Sequence, residues 1–553
     1  MSKKVIIVGG VAGGASVAAR LRRLDENVEI IMFERDQYIS FANCGLPYYI
    51  GGSIKERDHL LVQTPEGMKN RFNIDVRINS EVISIDTDQK VVKIRTEERE
   101  YNEQYDYLVL SPGARAIKPN IEGIDSQKIF TLRNIPDTDR IKTYVSEKDI
   151  NSAVVIGGGF VGIEMAENLK QKGLEVVIVE AAPHILAPFD SEIAVAVEKE
   201  LLDNDVKLIL NDGVKGFIDQ GSNVEITLNS GTKLQANLVI LAIGVIPDTK
   251  FLEDSGIQLG AKGHILVNEK METNIDSVFA AGDAIEVMDF VNKQNSTVPL
   301  AGPANKQGRI VADNIAGLGT NYKGTQGTSI IKVFKLTAAC TGNNQRTLDK
   351  MNIPNKSITI HPFSHATYYP GAHVLTLKLI FNEEGKILGA QSVGNDGVDK
   401  RIDVIATVIR LGGTVRDMTE LELCYAPPFS SAKDPVNLAG YVAENVLAGR
   451  VEILTAEQFM SYEKENTILL DVRTVKEVSK KGYVEGAINI PVDSLRERIG
   501  ELDKGKEILE YCQIGLRGYV ASRFLSQNGF RVKNIDGGYI SVLRSKYKPT
   551  IDN

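Results

Sequence analysis

Two short stretches of this chain carry the residue types needed to hold a pyrophosphate. GGVAGG (9–14) and GGGFVG (157–162) each follow an apolar run, and each precedes a second run that ends on an acid, Glu34 and Glu180. Glycine admits the backbone close to a pyrophosphate, whose charge then faces the free N–H groups and positive end of the next helix. The closing carboxylate accepts hydrogen bonds from ribose hydroxyls. Gly157, Gly159 and Gly162 complete the G-x-G-x-x-G spacing, whereas Val11 stands at the middle position of the first copy, which rests on Gly9 and Gly14. One such turn is weak evidence; two in the same context point to two dinucleotide sites. The chain also has four cysteines and no C-x-x-C pair, so they form no disulfide scaffold and each stands alone. Cys340, in LTAACTGN, and Cys424 read as small buried hydrophobes.

The elements that must position these groups follow from the pattern. Val5 to Val8 predict a strand, ASVAARLRRLDE a helix and VEIIMFE a second strand. The layout returns with a strand over 153–156, the helix IEMAENLKQKG and the strand VVIVE, an internal duplication. LVILAIGVIPDT (238–249) is a further apolar strand, and in TNIDSVFAAGDA (273–284) an Asp directly follows a small-residue strand end. From about Thr325 the pattern changes to strands such as HVLTLKLIF (373–381), with a helix near Asp399–Leu411. A linker near Leu447–Glu452 leads to LLDVRT (469–474), GAINIPVDSL (486–495), YCQIGLRG (511–518) and NIDGGY (534–539), the spacing of a small α/β domain.

Composition narrows the class. A chain of 553 residues, 43% hydrophobic and 25% charged, is expected to be soluble, globular and divided into several domains. Its net charge of −8 argues against general binding to nucleic acid or an anionic membrane. MSKKVIIVGG lacks the apolar core of a signal peptide and the apolar runs are too short to span a bilayer, so the expected location is cytoplasmic.

The two Gly-rich repeats, AAGDA (280–284) and SFANCGLPYY (40–49) together resemble the pyridine nucleotide-disulfide oxidoreductases over about the first 445 residues. The resemblance implies an α/β fold with two Rossmann-like dinucleotide-binding domains, FAD in 1–112 and 246–324 and NAD(P)H in 113–245, and an α+β dimerisation domain over 325–447. It assigns Gly9, Val11, Gly14, Glu34, Asp283 and Ala301 to FAD, and Gly157, Gly159, Gly162 and Glu180 to NAD(P)H. Relatives with a redox disulfide carry two cysteines separated by four residues; after Cys44 stands GLPYYIGG, so Cys44 matches the single-cysteine subgroup. A lone cysteine completes its cycle with an external partner, as a sulfenic acid or a mixed disulfide.

Within that subgroup the segment around Cys44 is similar to coenzyme A disulfide reductases. The likeness implies that Ser16, Val17, Ala18, Ala19, Arg20, Arg23, Ser40, Asn43, Arg71 and Lys433 hold coenzyme A, with Arg20, Arg22 and Arg23 as a cationic cluster. It further implies a homodimer in which Tyr368, from HATYYPGA (365–372), and Tyr425 reach Cys44 from the other subunit, Tyr369 being the alternative to Tyr368. Oxidases and peroxidases of the subgroup rely on an early histidine, and none occurs between the first Gly-rich turn and Glu34. A helix starting beside Cys44 is expected to favour its thiolate. The segment 452–553 resembles a rhodanese domain, an α/β fold, through DVR (471–473), GAINIP (486–491) and CQIGLR. There Cys512, with successive backbone N–H groups and Arg517, is expected to carry a thiolate or persulfide; Tyr483 stands where many members have His. The implied reaction is NAD(P)H-dependent reduction of coenzyme A disulfide or persulfide, coupled to the rhodanese domain as sulfur carrier; the alternatives are persulfide or polysulfide reduction as the main role, and NADH oxidase or peroxidase chemistry.

Overall fold

The computed structural model describes residues 3–147, 149–463 and 465–546. The chain divides into two compact units, one of residues 1–183 and 211–326, the other of residues 184–210 and 327–553. Residues 1–2 and 547–553, at the ends of the expected first and last domains, lie outside the described residues.

In the first unit the strand Lys4–Val8 is the centre of a five-stranded sheet, flanked by Glu29–Phe33 and Tyr107–Leu110 in parallel register. Its sequence, KVIIV, is buried on both faces, as a central parallel strand must be. Val278–Ala280 and Asp75–Arg77 complete its edges, so this sheet takes an outer strand from late in the sequence. The duplicate sheet is built on Ser152–Ile156, which pairs in parallel with Glu175–Val179 and Leu238–Leu241; Ile129–Thr131 joins beyond. The expected repeat of strand, Gly-rich turn, helix and strand is therefore present twice. The helix Ala12–Leu24 packs against Ala301–Ile315, where Gly308 permits close approach: a Cβ there would meet the Gly13 carbonyl oxygen at 2.6 Å.

The second unit holds an antiparallel sheet in the order Ser329–Val333, Leu336–Gly342, Ile387–Gly394, Thr376–Phe381 and Lys356–Ile360. The helix Val398–Leu411 packs on it, one residue longer than the sequence predicts at its start. The C-terminal part is a parallel sheet ordered Glu452–Leu454, Arg531–Ile535, Glu507–Tyr511, Thr467–Asp471 and Ile488–Asn489. Among the described residues no helix is long and apolar enough to cross a membrane.

Candidate active site

Each Gly-rich turn is closed by its own acid. Gly9 has φ +94°, and a Cβ there would lie 2.1 Å from the Ser111 carbonyl oxygen; Gly157, at φ +108°, stands in the same relation to Ala242, at 2.4 Å. The third glycines seat the helix on the strand: a Cβ on Gly14 or Gly162 would lie 1.9 or 2.0 Å from the carbonyl oxygen of Gly9 or Gly157. Val11 takes the helix-capping position with a negative φ of −92°, so the positive φ that Gly9 adopts is not required of it. Neither helix start has a side-chain cap, so its first N–H groups are available to an anion, the donor set a pyrophosphate needs. Glu34 accepts from the Gly10 and Asp36 N–H groups at 2.9 and 3.1 Å, and burial pushes its carboxyl up. Glu180 accepts from Gly158 and Ala182 at 2.6 and 2.8 Å. The residues present fit two dinucleotides.

Cys44 is exposed in a single turn, Asn43–Gly45, immediately before the helix Leu46–Gly51. That helix does not dominate its ionisation. The thiol is pushed up, first by partial burial of the sulfur and then by the charges of Glu164 and Asp283, with Arg133 opposing. The expected activation by the helix is thus outweighed: a six-residue helix carries a short dipole, and two carboxylates from distant segments face the sulfur. Asp283 accepts from Arg133 at 2.8 Å. Glu164 accepts from the Tyr48 hydroxyl at 3.3 Å, and its own carboxyl is pushed up to about 7, chiefly by burial.

A cavity of about 390 Å3 lies in the same unit and brings together Ser16, Ala19, Arg20, Arg23 and Ser40 of the expected set. Its other wall includes Gln63, Met68, Phe72, Asn305 and Arg309, none of which the sequence motifs singled out. Asn305 accepts from the Ser16 hydroxyl at 2.7 Å, and Arg20 donates to Asp313 at 2.8 Å. Val17 and Ala18 are fully buried in the core, so their side chains do not line this cavity. Asn43 and Arg71 lie outside its wall as well, Arg71 being exposed at the end of the helix Pro65–Phe72. Arg22 departs from the expected cluster: it is buried and donates to the carbonyls of Phe72, Glu26 and Asn73.

In the second unit the hydroxyls of Tyr368 and Tyr425 lie 2.8 Å apart, both rings largely exposed. This hydrogen bond raises Tyr368 above an ordinary phenol. Tyr369 instead stands edge-on to His365, 5.7 Å between centroids. Lys433 is exposed in the loop before the helix Pro435–Leu447. Cys340 is buried as expected, but Cys424 is exposed, because LELCY continues past the helix Val415–Glu420 as a surface loop.

Cys512 is fully buried at the end of the strand Glu507–Tyr511, and its Sγ accepts from the Gly515 N–H at 3.1 Å. Burial and Glu510 push this thiol up, while the N–H groups of Gly518, Ile514 and Gly515 pull it down. Arg517 donates through two nitrogens to Glu477, both at 2.7 Å, and that pairing pushes the Glu477 carboxyl down to about 2.

Comparison with known proteins agrees with this geometry. Residues 3–308 match the pyridine nucleotide-disulphide oxidoreductase family, 328–435 its dimerisation domain and 455–544 the rhodanese-like domain. The chain is 37% identical over 445 residues to a coenzyme A disulfide reductase of Staphylococcus aureus (strain bovine RF122 / ET3-1), covering 80% of this chain and all of the relative. The crystal structure of reduced Bacillus anthracis CoADR-RHD superposes with a TM-score of 0.96 at 51% identity, covering 98% of each chain. A NAD-dependent persulfide reductase from A. fulgidus superposes with a TM-score of 0.91 at 36% identity, covering 97% of this chain and 99% of that one. With two dinucleotide cradles, an unpaired thiol and a second sulfur loop in one sequence, the chain belongs to the pyridine nucleotide-disulphide oxidoreductases and is an FAD-dependent NAD(P)H:disulfide oxidoreductase carrying a C-terminal rhodanese domain.

Proposed function

We propose that the protein reduces coenzyme A disulfide and coenzyme A persulfide with NAD(P)H, working as a homodimer and using Cys44 as its redox thiol. The observation that carries this reading is the pairing of an unpartnered, exposed Cys44 with a cavity walled by Arg20, Arg23 and Arg309 in the same unit. Guanidinium groups suit the phosphates of coenzyme A. Gly9, Val11, Gly14, Glu34, Asp283 and Ala301 hold FAD, and Gly157, Gly159, Gly162 and Glu180 hold the nicotinamide dinucleotide. Bound FAD supplies two-electron transfer between the nicotinamide and the thiol. The Cys44 thiolate attacks one sulfur of coenzyme A disulfide, forming a Cys44–coenzyme A mixed disulfide and releasing one coenzyme A thiolate. Tyr368 and Tyr425, contributed by the other subunit, donate a proton to that leaving thiolate. Two electrons and one further proton then cleave the mixed disulfide, releasing the second coenzyme A and regenerating Cys44.

The rhodanese loop favours persulfide as an additional substrate. The Cys512 thiolate takes the outer sulfur of a sulfane donor such as a small-molecule persulfide, whose thiolate leaves, and the Cys512 persulfide passes that sulfur to the coenzyme A thiolate, freeing Cys512. The Cys44 thiolate then attacks the inner sulfur of the coenzyme A persulfide and expels sulfide, and two electrons and one proton cleave the resulting Cys44–coenzyme A disulfide to coenzyme A and the Cys44 thiolate. The persulfide reductase among the structural relatives supports this branch. Separate variants test the two parts. Cys44→Ser is expected to retain FAD and lose NADH-dependent reduction of coenzyme A disulfide, whereas Cys512→Ser is expected to retain that activity and lose sulfur transfer. Full disulfide reductase turnover in Cys44→Ser contradicts the assignment.

A further inference from the structure

The strand that delivers Cys512 also carries a buried acid. Glu510 lies two residues earlier and is fully buried. Its Oε1 accepts from the Ser522 hydroxyl at 2.7 Å, but its Oε2 has no hydrogen-bond partner, and neither does the side-chain oxygen of Asn534 on the neighbouring strand. Both orphaned oxygens crowd the same point: a Cβ on Gly518 would stand 2.6 Å from Asn534 Oδ1 and 3.0 Å from Glu510 Oε2. A carboxylate and an amide oxygen are both acceptors, whereas a protonated Glu510 brings a donor to this buried site.

Gly518 joins this acid to the sulfur. Its N–H is among those directed at Cys512 Sγ, while its Cα faces Glu510 and Asn534. Gly518 and Ser522 lie four residues apart, on one face of the helix Leu516–Gln527, whose start supplies the N–H groups around the sulfur. Glu510 therefore holds that helix by one hydrogen bond, from Ser522, and lies against its first turn at Gly518.

We propose that Glu510 is a positioning residue for Cys512: held as a neutral acid, it seats the helix start against the sulfur, and once ionised it places a buried negative charge that opposes the Cys512 thiolate. The function of that thiolate as a sulfur carrier is the reading above; the electrostatic coupling is independent of it. Burial pushes the Glu510 carboxyl up to about 8, only partly offset by Ser522, so the acid is neutral at pH 7. Its neighbours are Leu470 on the paired strand, Asn534 on the other side and Gly518 and Ser522 on the helix; Cys512, on its own strand, is the titratable group it acts on. As pH rises through about 8, Glu510 loses its proton first and holds back ionisation of Cys512.

The test is a titration of thiolate ultraviolet absorbance in the full chain, with the spectrum of each protein's Cys512→Ser counterpart subtracted. Glu510→Gln keeps the shape and cannot ionise, so the Cys512 midpoint is expected to fall by about one pH unit. Ser522→Ala removes the donor that stabilises ionised Glu510, and is expected to move the midpoint the same way by less. An unchanged or raised midpoint in folded Glu510→Gln overturns the proposal. Should that variant not fold, an unchanged midpoint in Ser522→Ala overturns it instead. Loss or retention of sulfur transfer in Cys512→Ser bears on the carrier reading alone.

Discussion

Cys44 is a thiol whose surroundings oppose its ionisation. Partial burial, Glu164 and Asp283 raise it, with Arg133 opposing. Glu164 is the adjustable part, because its carboxyl is pushed up to about 7. Above that pH Glu164 is ionised and repels a Cys44 thiolate; below it the repulsion fades. Glu164→Gln removes the repulsion at every pH, so alkylation of Cys44 at pH 8 is expected to quicken by roughly threefold, given that a lower thiol pKa also weakens the nucleophile. Peptide mass spectrometry of iodoacetamide-treated enzyme measures this rate, and an unchanged rate removes Glu164 from the account. Sequence pattern could not supply this restraint. The helix beginning at Leu46 is visible locally, but Glu164 and Asp283 reach the sulfur from segments more than one hundred residues away. The same limit applies to Arg22 and Arg23, adjacent and identical in type: helix rotation buries one among backbone carbonyls and leaves the other on the cavity wall.

At the scale of elements, the two Gly-rich turns were legible because everything that defines them is contiguous. A strand, a glycine that must adopt positive φ, a glycine that must admit the Gly9 or Gly157 carbonyl, and a closing acid all fall within about thirty residues. Gly162→Ala is therefore expected to force its helix off the strand, costing about 1–3 kcal/mol and weakening NADH binding while FAD stays bound. Thermal unfolding and NADH titration of the FAD-loaded protein measure both effects. Glu180 is fixed by two backbone N–H groups, and in the nicotinamide site proposed above it would place a carboxylate where a 2′-phosphate brings like charge. NADH is accordingly expected to be preferred, and Glu180→Ala to shift the NADH-to-NADPH ratio of kcat/KM by roughly tenfold toward NADPH; a wild-type preference for NADPH contradicts this. The far wall of the cavity was not legible. Asn305 and Arg309 belong to the helix Ala301–Ile315, which meets Ala12–Leu24 only through tertiary packing at Gly308. Cys424 departs from its expected burial for a related reason: local apolar context does not reveal that its loop leaves the core.

In the homodimer proposed above, the exposed Tyr368–Tyr425 pair would make one subunit the proton donor of its neighbour's site. Tyr368→Phe with Tyr425→Phe is expected to slow oxidation of reduced enzyme by coenzyme A disulfide by about 10²-fold, with flavin reduction by NADH unaffected. Mixing this double variant with Cys44→Ser is expected to restore activity in exchanged heterodimers, since each then holds one intact composite site. No recovery after demonstrated exchange places the tyrosines elsewhere. In the proposed reaction the Cys44 Sγ is the atom that meets coenzyme A. Incubating reduced, reisolated enzyme with one equivalent of coenzyme A disulfide without NADH, then mapping peptides by mass spectrometry, tests it directly. The mass of one coenzyme A is expected on the peptide containing Cys44, removed by NADH. Coenzyme A on another cysteine, or Cys44 left unmodified, contradicts the assignment of Cys44 as the redox thiol.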